Sequence, residues 1–156
     1  MSEPIPQAGR IRDARPGERR ALEALQRRAS LHNPGDRAAL LAHPDAVELP
    51  QWQVDRGMVR VIEHAGEPAG FAVLLMPEHG ACELDGLFVE PEQMGAGLGR
   101  ALVADAIRLA RERRAAAIEV IANPHAVGFY ERVGFVAGEA VATRFGPAVR
   151  MRLDIA

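Results

Sequence analysis

The chain has 156 residues, 48% hydrophobic and 26% charged, which predicts one soluble globular domain with a sizeable core. Its formal net charge of −2 argues against nucleic acid as a bulk electrostatic partner. The single cysteine, Cys82, excludes an internal disulfide and favours a cytoplasmic location. No apolar run approaches the length of a membrane span, and all 19 basic residues are Arg, so no membrane partner and no lysine chemistry is expected.

The first third of the chain predicts a short strand followed by helices. Residues 1–8 contain two prolines and predict a loose leader to a single domain over residues 1–156. Residues 9–14 predict a strand, and a second helix is expected over residues 36–42. Residues 45–56 follow no clear pattern. The first helix begins near Pro16, where a missing N–H costs nothing, and its apolar face consists of Leu22, Leu25 and Ala29.

The hydrophobic period changes to that of strands after Met58. Residues 58–78 predict an antiparallel hairpin around a turn at residues 64–67, and residues 81–91 predict a third strand. The clearest helix is predicted over residues 97–114, with an apolar face of Leu98, Leu102, Ala106, Leu109 and Ala110.

The remaining chain alternates between strand and helix. Residues 116–122 predict a strand, residues 124–135 contain a short helix ended by Gly134, and residues 148–155 predict a final strand. This order of elements indicates an α/β domain with a mixed sheet.

A glycine-rich loop, "EQMGAGLGR" over residues 92–100, lies between the third strand and the long helix. Backbone N–H groups and the helix dipole converge there, which suits a phosphate, although the loop alone is equally compatible with a simple turn. A P-loop is excluded because it requires Lys. A dinucleotide loop is disfavoured because Arg100 occupies the third glycine position and Asn123, rather than an acidic residue, follows the next strand.

A second motif follows about 25 residues later, and the two together identify a family. "NPHAVGFYERVGF" over residues 123–135, combined with "LFVEPEQMGAGLGRAL", resembles the GCN5-related N-acetyltransferase family. Every position of the second motif is filled as in that family. One position of the loop departs from it, because Met94 stands where the family has Arg or Gln and Gln93 lies one place early.

The resemblance implies a fold and a cosubstrate. The fold would have a mixed central sheet of about six or seven strands, flanked by about four helices and splayed between its two central parallel strands. The cosubstrate would be acetyl-CoA, with its pyrophosphate on the loop and its pantetheine paired with the third strand. The residues expected to contact it are Leu87, Phe88, Val89, Met94, Gly95, Ala96, Gly97, Leu98, Gly99, Arg100, Asn123, Phe129 and Tyr130.

Acetyl transfer to an amine needs a group that accepts the amine's proton and a group that serves the departing thiolate. Glu83 and Asp85 are two residues apart on a predicted strand, so both point to one face, and either could be the base. The resemblance places Tyr130, the only Tyr, where relatives protonate the thiolate; it could instead position the sulfur. Alternatively, Glu83 and Asp85 only form part of the charged surface, and Tyr130 only packs in the core.

These features predict an acetyl-CoA-dependent N-acetyltransferase whose acceptor is a primary amine of a small molecule, an amino acid or polyamine, or a protein N-terminus. The alternative is an acetyl-CoA-binding sensor or scaffold with little or no activity. The five histidines share no ligand spacing, so no metal is expected. Cys82 is expected in the core, and homodimerisation, which is common in the family, remains open.

Overall fold

A computed structural model describes residues 9–76 and 80–156, so the predicted leader over residues 1–8 lies outside the described residues. The chain forms two compact units. One consists of residues up to Val73 together with Gly86–Leu102, and the other of Leu74–Asp85 together with Val103–Ala156. The single acetyltransferase domain stays a prediction, and the two units are described one after the other.

The first unit opens with β1 (Ile11–Asp13), followed by α1 (Arg19–His32), α2 (Pro34–Ala42) and α3 (Gln51–Asp55). Strand β1 and helix α1 confirm the prediction, and the three apolar residues predicted to line α1 are buried. Helix α2 begins two residues earlier than predicted because Pro34 fits the first helical position. Helix α3 has only five residues, too few to produce a readable period.

The predicted hairpin forms from β2 (Val59–His64) and β3 (Glu67–Leu75). Val61 pairs with Phe71 in the antiparallel ladder, and both are fully buried. The turn residues Ala65 and Gly66 have φ angles of 53° and 82°, which match the hairpin turns that follow the twist of the strands. The turn sets the register of the pairs next to it, and a β-bulge between Ile62 and Glu63 shifts the register of the buried pairs by one residue.

The third predicted strand is β4 (Ala81–Val89), and the long predicted helix is α4 (Leu98–Glu112). Helix α4 buries Leu98, Leu102, Ala106 and Ala110, while Leu109 is half-buried. Val103 is also buried, so the apolar face is wider than the predicted stripe.

The second unit also contains β5 (Ala117–Ala122), α5 (Val127–Arg132), β6 (Val136–Thr143) and β7 (Gly146–Asp154). Strand β6 was not located by its sequence, because most of its residues are exposed and their pattern does not alternate between buried and exposed positions. It pairs with β7, which also pairs with β5 on its other side.

All seven strands belong to one sheet in the order β1-β2-β3-β4-β5-β7-β6. The central pair, β4 and β5, is parallel, and the other pairs that the structure describes are antiparallel. The β4–β5 ladder joins Ala81–Glu83 to Ala117–Glu119, although both strands continue beyond it. The splay expected between these two strands stays a prediction. The predicted mixed α/β sheet is confirmed, and residues 9–76 and 80–156 form seven strands and five α-helices, one helix more than the roughly four expected.

Candidate active site

The glycine loop lies in the first unit and is shaped by its backbone. A short 3-10 turn at Pro91–Gln93 precedes it, and α4 begins at Leu98. Gly95 and Gly97 have φ angles of 86° and 85°, which side-chain-bearing residues rarely adopt. Gly99 lies within α4 and has no positive φ angle, so the backbone conformation at this position does not require glycine.

The N–H groups of this loop are available to an anion. Within residues 9–76 and 80–156, the N–H groups of Gly95 and Gly97 donate no hydrogen bond, whereas Ala96 donates to the Gln93 carbonyl at 3.3 Å. The first N–H groups of α4 have no partner inside the helix, and the helix dipole adds positive potential there. The loop thus combines unpaired donors with a favourable field, which suits a pyrophosphate.

The side chains of the loop leave its outer surface open. A Cβ at Gly95 or Gly97 would meet no atom within 4 Å, and the Met94 side chain is 40% exposed. Leu98 is buried and anchors the start of α4 to the core. Arg100, in the first turn of the helix, is exposed and offers a cation on this surface. The donors that the loop presents are therefore main-chain groups, supplemented by one guanidinium.

The second half of β4 differs from its first half. Leu87, Phe88 and Val89 are half-buried, without the alternation expected of a strand covered on one face. The Phe88 ring packs against Phe71, with ring centroids 5.3 Å apart. It also fills the space beside Gly86, where a Cβ would lie 2.8 Å from the ring. Packing therefore explains the glycine at position 86.

A bidentate ion pair holds the residue that precedes the loop turn. Arg28 of α1 donates from Nε and Nη2 to the two carboxylate oxygens of Glu90, at 2.6 and 2.8 Å. The N–H of Glu90 also donates to the Ala69 carbonyl at 2.8 Å. Glu90 is thus fixed both by a side chain and by its backbone, which defines where the loop begins.

In the second unit, the two predicted carboxylates lie on the same face of β4. Glu83 and Asp85 are exposed, while Cys82 and Leu84 are buried on the opposite face. This alternation agrees with the two-residue spacing. Burial raises the pKa of the Cys82 thiol, so the thiol is a poor nucleophile in the core position that the sequence predicted.

The sheet adds a third carboxylate that sequence reasoning missed. Glu119 of β5 pairs in register with Glu83 of β4, and with Arg152 of β7 on its other side. Desolvation is the main cause that raises the pKa of Glu83, and the charges of Asp85 and Glu119 raise it further, while Arg150 lowers it. The available signal was the lone acidic residue in "AAIEVIA", but its partner strands could not be read from the sequence.

Tyr130 is the buried residue of α5, with 6% of its surface exposed. Its ring makes edge contacts with Phe129 and Phe135, at centroid distances of 5.2 and 5.3 Å. Burial raises the pKa of the phenol well above its ordinary value, so Tyr130 stays protonated across the neutral range. The residue combines a core position with a polar end, and both roles weighed from the sequence are compatible with it.

Asn123 follows β5 directly and is exposed. It stands at the N-cap position of a 3-10 turn that begins at Pro124, but its side chain makes no capping hydrogen bond there. Its carbonyl accepts a hydrogen bond from the N–H of Ala126 at 2.8 Å. Asn123 therefore occupies the N-cap position, and its backbone carbonyl accepts the first hydrogen bond of the turn.

The described residues contain neither a cluster of metal ligands nor a helix that could span a membrane. No group of three or more His, Cys, Asp or Glu side chains in residues 9–76 and 80–156 is arranged to hold a metal ion. Over the same residues, no helix has both the length and the apolar character needed to cross a bilayer. The cytoplasmic location and the possible homodimer expected from the sequence stay predictions.

Comparison with known protein families gives a match over most of the chain. The protein-family model described as "Acetyltransferase (GNAT) family" matches residues 22–135 of the sequence. The peptidyl-lysine N-acetyltransferase YjaB of Escherichia coli K12 is 39% identical over 88 residues, which cover 56% of this chain and 50% of that protein. The chain thus spans about half the length of the curated relatives that it matches.

Solved structures share the fold over nearly the whole chain. A GCN5-related N-acetyltransferase from Rhodopseudomonas palustris matches with a TM-score of 0.76 and 21% identity, covering 98% of this chain and 99% of the other. The PaiA N-acetyltransferase of Thermoplasma acidophilum, solved with coenzyme A, matches with a TM-score of 0.73 and 15% identity, covering 93% and 98%. The family match extends well beyond half of the sequence, and the chain belongs to the GNAT acetyltransferase family.

Proposed function

We propose that this protein is an acetyl-CoA-dependent N-acetyltransferase that transfers the acetyl group directly to a primary amine. The observation that carries the proposal is the glycine loop, in which Gly95 and Gly97 adopt positive φ immediately before α4. Their N–H groups and those of the first helical turn form a site for a pyrophosphate. Because the chain belongs to the acetyltransferase family, we infer that this pyrophosphate is the one in coenzyme A.

Acetyl-CoA would supply the activated acetyl group as a thioester. The N–H groups from Gly95 to Arg100 would bind its pyrophosphate, and the main chain of residues 87–89 would pair with its pantetheine arm. Residues 87–89 lie beyond the pairs of the β4–β5 ladder, which join Ala81–Glu83 to Ala117–Glu119. Further contacts are assigned to the main chain of Met94 and to Asn123, Phe129 and Tyr130.

The acceptor nitrogen must lose a proton before it can attack. An amine with a pKa near 10 is neutral in only about one molecule per thousand at pH 7, so a nearby base increases the reactive fraction. Glu83 fits this role because its pKa is raised, chiefly by desolvation, which makes its carboxylate a stronger base than an ordinary Glu. Asp85, on the same face of β4, is the second candidate.

Tyr130 would act on the sulfur that leaves. Its raised pKa makes complete transfer of the phenolic proton to a thiolate less favourable, because an ordinary thiol is already the stronger acid. The phenol can still donate a hydrogen bond to the developing negative charge, and a buried donor does so more effectively than an exposed one. Burial therefore favours sulfur stabilisation over full proton donation as the role of Tyr130.

The acceptor class is a primary amine. The relative named as a peptidyl-lysine N-acetyltransferase adds a lysine side chain to the acceptors predicted from the sequence, which were small amines, amino acids or polyamines, and protein N-termini.

One observation favours the alternative of a sensor or scaffold. The exposed, apolar Met94 replaces the polar side chain expected in the loop, which removes one phosphate ligand.

Two measurements test the proposal together. Calorimetric titration with CoA measures binding, and thiol release from acetyl-CoA measures turnover against a panel of amines. The panel contains a lysine peptide with a blocked N-terminus, the same peptide with a free N-terminus and Arg in place of Lys, spermidine and several amino acids. Binding with turnover of at least one amine supports the enzyme. Binding without turnover of any amine favours the sensor, and the absence of binding rejects both.

A further inference from the structure

Three charged residues form a row across three strands of the second unit. Glu83 of β4 is the direct partner of Glu119 in the parallel ladder, and Glu119 is the direct partner of Arg152 in the antiparallel ladder with β7. Partners in adjacent strands lie about 5 Å apart and project from the same face. Exposure agrees with this arrangement, because Cys82, Ile118 and Met151, one residue away in each strand, are fully buried on the other face.

The arginines beside this row are partly committed to other carboxylates. Arg152 donates from Nε to Asp154 at 2.8 Å, and its Nη1 lies farther, 3.5 Å, from the Glu119 carboxylate. Arg150 donates to Glu139 of β6 at 3.1 Å. Arg152 therefore holds Glu119 in place, but because Arg152 is shared with Asp154 it neutralises Glu119 incompletely. Part of the negative charge of Glu119 can then act on Glu83.

We propose that Glu119 is an electrostatic positioning residue for Glu83: its carboxylate, tethered by Arg152, keeps negative charge beside the group that accepts the proton of the amine. The proton moves from the ammonium nitrogen of the acceptor to the Glu83 carboxylate, which leaves a neutral amine and a neutral carboxylic acid. A neighbouring negative charge disfavours the ionised form of Glu83 and makes this transfer more favourable. The inference rests on the proposed function, specifically on Glu83 as the base.

The charged groups that act on Glu83 come from three strands. Asp85 on the same strand and Glu119 on β5 strengthen it as a base, whereas Arg150 on β7 weakens it. Changes in these groups therefore have signs that can be assigned in advance. Loss of the Glu119 charge lowers the pKa of Glu83, and loss of the Arg150 charge raises it.

The test follows the titration of Glu83 itself in the protein without substrate. Carboxyl groups of glutamates labelled with carbon-13 are titrated by NMR, and the Glu83 signal is identified by its loss in Glu83→Gln. We expect Glu119→Gln to move the Glu83 midpoint to lower pH and Arg150→Gln to move it to higher pH. Glu119→Asp, which keeps the charge, should stay close to wild type. Glu112→Gln, which removes a carboxylate from α4, is the matched control.

The same variants are then compared in the pH profile of kcat/KM for acetyl transfer. The acid limb of the profile should move with the NMR midpoint, downward in Glu119→Gln and upward in Arg150→Gln. A Glu83 midpoint that moves no further in Glu119→Gln than in Glu112→Gln overturns the inference. If Glu83→Gln keeps the acid limb of the wild type, the base assignment fails instead, so the two failures are distinguishable.

Discussion

The glycine loop in the first unit and the charged strand face in the second unit are built in different ways. The loop presents N–H groups, and its form depends on two φ angles that glycine accepts easily, at Gly95 and Gly97. The strand face presents side chains, and its form depends on the register that places Glu83 beside Glu119. A site made of backbone is encoded locally, whereas a site made of side chains requires the sheet.

This difference predicts how each region responds to substitution. In the loop, side chains matter little as long as the backbone keeps its path, which explains how Met94 can stand in a position where the family has a polar residue. On the strand face, the backbone is ordinary, and the proposed chemistry depends on individual side-chain groups. Substitutions at Gly97, Tyr130 and Arg28, together with their control variants, test this comparison, in addition to those that test Glu119.

The largest effect is expected for Gly97→Val. A β-branched residue at φ 85° is strained, so the loop must change its path and withdraw its N–H donors. Loss of two hydrogen bonds to a charged group, at about 1.5 kcal/mol each, weakens CoA binding about 100-fold or more. Calorimetric titration with CoA measures the change.

Met94→Ala is the matched control for this experiment, because it alters a neighbouring side chain and leaves the backbone unstrained. Its Kd for CoA should stay within about threefold of wild type. If Met94→Ala weakens binding as much as Gly97→Val, the loop depends on its side chains and the comparison fails. Circular dichroism of both variants establishes that each remains folded.

An intermediate effect is expected for Tyr130→Phe, in which one oxygen is removed from the second unit. Loss of a hydrogen bond to the developing thiolate should lower kcat by about 10- to 100-fold, with little change in the KM for acetyl-CoA. Because burial keeps the phenol protonated, the pH profile should keep its shape between pH 6 and 9. An unchanged kcat across this range would remove Tyr130 from the chemistry and leave it as a core residue.

The smallest effect is expected for Arg28→Gln, which breaks the ion pair with Glu90 just before the loop. An exposed ion pair contributes about 0.2–1 kcal/mol, and the Glu90 backbone keeps its bond to Ala69. The Kd for CoA should therefore rise by less than about fivefold. Glu90→Gln should give the same result, and the double variant should be no worse than either single one. A tenfold loss would mean that this side-chain contact sets the loop geometry.

The local elements were readable from the sequence, each for an identifiable reason. The turn residues Ala65 and Gly66 predicted the hairpin. Pro16 and the apolar stripe predicted α1, and the hydrophobic period of residues 98–110 predicted α4. Strand β6 and helix α3 could not be located, because the first is mostly exposed and the second is too short for periodicity to develop. The two motifs further identified the family and pointed to the loop as the cosubstrate site.

The sequence by itself thus determined those features that depend on residues close together in the chain: the loop, its following helix and the shared face of Glu83 and Asp85. The tertiary structure decided the features that depend on pairing between distant segments. It placed Glu119 and Arg152 in one row with Glu83, although 36 and 33 residues separate the successive members of that row. Tyr130 contacts the rings of Phe129 and Phe135, which are near it in the chain, but its burial, which raises the pKa of the phenol, depends on the packing of α5 in the fold.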